Sequence, residues 1–302
     1  MERWRIIKAF TLGPLLEAAI PKPGNVNRYR DFEDLTLYHF LFGNVAVIDI
    51  LYEATEVGKL IRKGDYQLSE ANIGEMIKRA VQNAKAVQDA NPNFGIIALE
   101  IPLVIALSIS EDIYDAKEVA KRLIAHSTVR DTMEFYKAIR IANPKGIKGG
   151  VKYDVYEENV FDELFKDRIN LKRLAEISCD RELIFCEWLN GYELSYKTFL
   201  RLKELTEELN LEEAVLIAFL ELLASTPDTL IIRKAGRAEA EVVMKTARKV
   251  LDGSIGVDEF DSFLREKGDL RNPGSLADIM AIALSLLVLD GYRLNLNLKL
   301  TL

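Results

Sequence analysis

Cysteine and histidine are nearly absent from the chain, with two of each among 302 residues. His39 and His126 have no partner at metal-ligand spacing, which argues against a zinc site and against a Ser-His-Asp triad. Cys179 and Cys186 read as reduced thiols rather than as a disulfide framework, with Cys179 structural. Glycine-rich phosphate loops of the GxGxxG and GxxxxGK[ST] types are missing as well, so neither a Rossmann nor a Walker site is expected. Basic charge is in deficit: 40 Lys and Arg against 47 Asp and Glu leave a net charge of -7. Such a balance argues against nucleic acid as a partner, because counterion release needs a concentrated basic surface; a nucleotide site has to be a local basic pocket. Long apolar runs are also lacking. The most apolar stretch, 94–109, is interrupted by Glu100 and Pro102 and is shorter than the ~20 residues that span a bilayer. No membrane partner is expected. The charged first residues, without an apolar export segment, point to a cytoplasmic location.

What is present is ordinary globular composition, 49% apolar and 29% charged, arranged almost throughout with helical spacing. From 37 to 61 apolar residues recur at Val47, Ile50, Leu51, Ala54, Val57 and Ile61, one face of a helix that Gly64 and Asp65 end. A second helix begins after Ser69 as N-cap and runs through Ile73, Ile77, Ala80, Ala84 and Val87. Further helices are expected over 115–125, 128–142, 171–177, 180–189, 196–208, 212–224, 237–251 and 275–289. The fold class is therefore all-α, one large multi-helix domain over 1–302, with a Gly- and Lys-rich loop near 144–152 as an internal boundary. One departure is the strict Leu alternation over 293–302. It reads as a short C-terminal strand that pairs with 151–155 or with a second subunit in a homodimer.

Four segments concentrate polar chemistry. In Pro21-Lys22-Pro23-Gly24-Asn25-Val26, two prolines stiffen the backbone around a lysine, and Arg28 and Arg30 follow, so that Lys22, Arg28 and Arg30 can meet phosphates. Asp31, Glu33 and Asp34 come next, the alternation of charge that a magnesium-bound polyphosphate needs. A proline-rich turn with solvated charges is the competing reading. Asn91-Pro92-Asn93-Phe94-Gly95 precedes the most apolar helix, where exposed amides can receive an anion, or where an asparagine simply caps the helix. Asp228, Thr229, Arg233, Lys234 and Gly236 put a carboxylate, a hydroxyl and two cations in one short segment. A surface salt-bridged loop is the alternative there. Asn272-Pro273-Gly274-Ser275-Leu276-Ala277-Asp278 is a turn feeding a helix, and Asp278 near its start can simply complement the helix dipole.

In this order, the four segments resemble the successive motifs of the triphosphoribosyl-dephospho-CoA synthase family, from about Leu15 to Leu289. The resemblance implies an all-helical enzyme that takes ATP as substrate and dephospho-CoA as acceptor. It joins the triphosphoribosyl group to the acceptor's ribose and releases adenine, making the precursor of the prosthetic group of citrate lyase or malonate decarboxylase acyl carrier proteins. It further implies a site in which Lys22, Gly24, Asn25, Arg28, Asn91, Asn93, Gly95, Thr229, Arg233, Lys234 and Ser275 bind the nucleotide and its phosphates. Asp34 and Asp228 would be catalytic, and Asp34, Asp228 and Asp278 would hold Mg2+. Departures fall in the same segments: Phe32 stands where the family has histidine, Leu230 follows Asp228-Thr229 in place of asparagine, Arg233-Lys234-Ala235-Gly236 replaces an Arg-Gly-Gly triplet, and one glycine is missing before Ser275. They bear on the acceptor, leaving open a different nucleotide or acceptor, or a non-catalytic helical scaffold. An enzyme requires Lys22, Asp34, Asn93, Asp228, Lys234 and Asp278 to share one cleft.

Overall fold

The computed structural model describes residues 1–90, 93–144, 146 and 149–294. Over these the chain forms α1 (Arg3–Ala19), α2 (Leu37–Val45), α3 (Ile48–Lys63), α4 (Ile73–Val87), α5 (Phe94–Ile109), α6 (Ala116–Ala125), α7 (Val129–Ala142) and α8 (Val160–Lys166). It continues with α9 (Leu171–Ser178), α10 (Leu183–Asn190), α11 (Glu193–Leu205), α12 (Leu211–Ser225), α13 (Thr229–Ala235), α14 (Arg237–Leu251), α15 (Val257–Arg265) and α16 (Gly274–Asp290). Among the described residues there is no strand, only two isolated bridges at Asn27–Arg30 and Phe32–Leu35. The fold is all-α.

Two helices that are apolar on every side form the centre. All of α5 from Gly95 to Ser108 is buried, as is nearly all of α16 from Leu276 to Leu289, as expected of helices with no polar face to give to water. The amphipathic helices wrap around them: α1 and α11 lie on α16, α3 and α6 on α5, and α4 pairs with α7. Gly13 permits the close approach of α1 to α16, since a Cβ there would meet the Ser285 backbone N at 2.5 Å, and Gly74 that of α4 to α7, where a Cβ would meet Asp131 O at 1.9 Å. No single helix among the described residues is long and apolar enough to cross a membrane.

Pro102 sits inside α5 and has no N–H to give the carbonyl of Ala98 four residues before it. The vacancy is filled from α10, where the Trp188 indole N–H donates to Ala98 O at 3.1 Å. Tyr192 donates its hydroxyl to the next carbonyl, Leu99 O, at 2.8 Å. Both donors are fully buried, so the carbonyl left by a proline in the core helix is satisfied by Trp188 of α10, with Tyr192 at the start of α11 beside it.

Several boundaries differ from the sequence reading. The helix expected over 37–61 is two, broken between Val45 and Ile48. Ser69 lies in a 3-10 turn, Leu68–Glu70, and α4 starts instead behind Asn72, whose φ of 51° is left-handed. Residues 180–182 belong to the turn before α10 rather than to the helix. The expected partner strand at 151–155 is a series of turns, and 295–302 of the C-terminal strand, with the dimer pairing built on it, lie outside the described residues. Cys179 and Cys186 are joined in a disulfide with Cα atoms 4.7 Å apart, contrary to the reduced reading. The C-cap of α9 and the first turn of α10 fold back on each other across that turn.

Candidate active site

One cavity of about 880 Å3 opens where the N-termini of α5 and α16 meet. Its floor is acidic. Gly95, in the first turn of α5, has to be glycine because a Cβ would meet Asp278 Oδ2 at 2.0 Å. Asp278 is five residues into α16, beyond the first turn, and its side chain faces the cavity rather than serving the helix dipole. Behind it, on α5, Glu100 is 1% exposed and its Oε1 has no hydrogen-bond partner. Burial, then the nearby Asp278 charge, holds the Glu100 carboxyl well above its ordinary range. Asp278 is raised in the same way, by burial first and then by Glu17 and Asp228, against the pull of Arg233. Burial disfavours the charged form, so both carboxyls hold their protons more tightly than exposed ones do.

Cations border this floor. Arg233, Lys234 and Arg237 line the cavity from α13 and α14. Arg233 pairs with Glu182 of the α9–α10 turn, and Lys234 pairs with Asp269 at 2.9 Å. Glu182 is raised by burial, offset by Arg233 and Thr229. Asp34, Lys85 and Asp89 also line the cavity. Between α7 and α8, Gly146 packs on the Arg233 and Lys234 side chains, while Val151, Tyr153 and Val155 also line the cavity. Pro144, Gly146, Val151 and Lys152, in the loop read as a boundary, therefore line the site.

Of the residues singled out in the sequence, Asp34, Asn25, Gly95, Arg233, Lys234, Ser275 and Asp278 line this cavity. Others stand behind it. Asp228 is the N-cap of α13; Oδ1 accepts from Ile231 N at 3.0 Å and Oδ2 from Leu276 N at 2.8 Å. It therefore ties the starts of α13 and α16 together, and burial pushes its carboxyl up to about 6 despite the backbone hydrogen bonds from Ile231, Leu276 and Leu230. Thr229 and Ser275 share a hydroxyl hydrogen bond of 2.9 Å in the same junction. Lys22 is turned inward: it pairs with buried Glu17 at 2.9 Å, donates to Ile20 O at 3.4 Å and lies over the Phe219 ring. The expected phosphate lysine instead neutralises a carboxylate of the floor. Gly24, at φ +75°, packs on Leu264, and Arg28 grips Glu212 through two hydrogen bonds of 2.6 and 2.8 Å, so neither reaches the cavity. Asn93 stands at the N-cap position of α5 without a capping hydrogen bond and donates its amide to Asn44, with its Oδ1 left unpartnered; Asn91 lies outside the described residues. Phe32, in the family's histidine position, lines the cavity under the Arg265 guanidinium.

Among the described residues no group of three His, Cys, Asp or Glu side chains can hold a metal ion. Asp228 has both oxygens committed to backbone N–H groups, and burial raises the Asp278 carboxyl. The Asp34, Asp228 and Asp278 set does not fit a resident magnesium. Sequence reasoning missed Glu100, Glu17 and Glu182 as site residues. For Glu100 the signal was there, a lone carboxylate inside the most apolar run of the chain.

The fold is all-α, with cations gathered above buried carboxyls in one cavity. The model of the family described as ATP:dephospho-CoA triphosphoribosyl transferase matches residues 3–296, and the chain belongs to that family. A crystal structure from Archaeoglobus fulgidus, assigned as a triphosphoribosyl-dephospho-CoA synthase, is similar in fold with a TM-score of 0.63 and 24% identity, over 82% of this chain and 100% of that one. No curated protein matches the chain.

Proposed function

We propose that the chain transfers the triphosphoribosyl group of ATP to a ribose hydroxyl of dephospho-CoA, with release of adenine. The observation that carries this reading is the pairing, in one cavity, of the Arg233, Lys234 and Arg237 side chains with the buried carboxyl floor at Asp278. The acceptor hydroxyl attacks the anomeric carbon of ATP, the bond from that carbon to the purine nitrogen breaks, and adenine leaves with a proton. Arg233, Lys234 and Arg237 hold the triphosphate, where a guanidinium grips in two directions and an ammonium acts as a point charge. Magnesium accompanies the triphosphate as its counter-ion, in the manner of an ion that keeps most of its waters and takes substrate phosphates as ligands.

Roles that the sequence leaves undivided separate on burial. Asp278, whose carboxyl burial raises, is suited to give a proton to the departing base. Asp34, exposed on the cavity wall, is the carboxylate that takes the proton of the attacking hydroxyl. Each such proton transfer contributes about 10²- to 10⁴-fold. Asp228 acts by position, fixing α13 and its cations relative to α16. The test is a mass measurement on the acceptor after incubation with ATP and magnesium. Gain of one triphosphoribosyl group, lost in Asp278→Asn, supports the reading; an unmodified acceptor beside hydrolysed ATP refutes it.

A further inference from the structure

The disulfide between Cys179 and Cys186 encloses a turn that belongs to the site. Of residues 180–185 inside it, all but Leu183 line the cavity. The turn is fastened to α13 by groups of its own: Glu182 pairs with Arg233, and Leu183 N donates to Thr229 Oγ1 at 3.3 Å. Within it, Arg181 N and Glu182 N donate to Ser178 O at 2.9 and 3.1 Å, while Asp180 and Arg181 are exposed. The helices on either side are anchored independently of the disulfide. In α9, Leu171, Leu174 and Ala175 are buried and Asn170 caps the first turn. In α10, Trp188 reaches Ala98 O, and Glu187 accepts from Leu194 N and Ser195 N, each at 2.9 Å. Opening the disulfide therefore leaves both helices seated and frees the turn between them. A closed loop this short also adds less to the stability of the whole chain than a long one does.

We propose that the Cys179–Cys186 pair is a redox switch on nucleotide binding: the disulfide holds the turn against α13 and keeps the site formed, and its reduction loosens the turn and lowers the affinity for ATP. The proposal rests on the transfer reading in one respect, that ATP occupies this cavity. Both cysteines are partly exposed, the access that a reductant needs. The agent is a dithiol. One of its thiolates attacks one of the sulfurs, the Cys179–Cys186 bond breaks and a mixed disulfide forms; its second thiolate then displaces the protein sulfur. The reductant leaves as its own disulfide, having passed two electrons and its two thiol protons to Cys179 and Cys186. Reduced protein has to order the turn, and with it the Glu182 side chain that holds the Arg233 guanidinium, each time a ligand binds. That ordering is subtracted from the affinity.

Calorimetric titration of ATP with magnesium into oxidised wild type, wild type reduced with dithiothreitol, and Cys179→Ser/Cys186→Ser tests this, with amide hydrogen exchange read on the same samples. Affinity for ATP should fall about tenfold in the reduced wild type and in the double variant, the size of one such ordering cost. Reoxidation should restore the wild type, and dithiothreitol should leave the double variant unchanged. Faster exchange should be confined to 178–186. The reduced wild type carries the test by itself if the double variant fails to fold. ATP affinities within twofold of each other in the two redox states overturn the proposal, as does faster exchange across the whole chain, which would make the disulfide a general staple. Oxidised protein that transfers no group but loses ATP affinity on reduction keeps the switch and refutes the transfer reading; oxidised protein that binds no ATP refutes both.

Discussion

Replacing Asp228 by Asn sets two opposed effects against each other, and pH separates them. Asparagine keeps one carbonyl oxygen but turns an amide N–H₂ toward either Ile231 N or Leu276 N, both of which donate to the native carboxylate. A buried N–H left without an acceptor costs about 1–3 kcal/mol. In the other direction, the native carboxyl titrates at about 6 rather than at 3.8, so ionising it inside the protein is unfavourable by about 3 kcal/mol relative to the unfolded chain. The folded state holds the proton more tightly, and between pH 3.8 and about 6 the native protein therefore loses stability as pH rises. The Asp228→Asn variant has no proton to lose there and is spared that decline. Urea unfolding of both proteins from pH 4 to pH 7.5 should show the variant less stable by the largest margin at the acid end, with the gap closing by about 3 kcal/mol toward neutrality. A gap that is constant, or that widens with pH, would refute the assignment of this carboxyl as one raised by burial. It would mean that the backbone N–H groups outweigh desolvation.

Gly95→Ala should abolish transfer with a smaller effect on folding, because its Cβ would sit 2.0 Å from Asp278 Oδ2. Turnover reduced about 100-fold or more beside a melting temperature lowered by only a few degrees is the expected pattern, measured on the same preparation. Trp188→Phe removes the donor that Pro102 makes necessary at Ala98 O and should lower unfolding free energy by about 1–3 kcal/mol; an unchanged value would mean that the carbonyl is satisfied in another way. Glu100→Gln deletes a carboxyl that burial holds above its ordinary 4.5, so native stability falls as pH rises from there and the variant's does not. Its advantage in unfolding experiments should grow from pH 4.5 upward, and a flat difference would contradict the buried position.

Much of the helical scaffold is legible from spacing alone. The bounds expected for the apolar helix coincide with α5, Phe94–Ile109, and those of 237–251 with α14, because each has a strong apolar pattern and a clear break at both ends. Short elements escaped: α8 and α13 are seven residues each, too few for a periodic face to show. The site is legible only in outline. Four motifs name the right corner of the fold, yet which side chain turns inward is decided by packing. Lys22 and Asp228 belong to motifs as much as Lys234 and Asp278 do, but the first two are committed to Glu17 and to backbone N–H groups. No local pattern distinguishes them. Ile139, Leu174, Ile184 and Phe185, which also line the cavity, come from α7, α9 and α10, segments without a motif, brought together by tertiary packing.

The central claim is that bond breaking occurs at the anomeric carbon of ATP and not at a phosphorus. The most direct measurement is chromatography of the bases and nucleotides formed from ATP, magnesium and dephospho-CoA. Free adenine should appear in equal amount to dephospho-CoA consumed, with no ADP or AMP, and should vanish when the acceptor is left out. ADP or AMP in place of adenine would contradict the account.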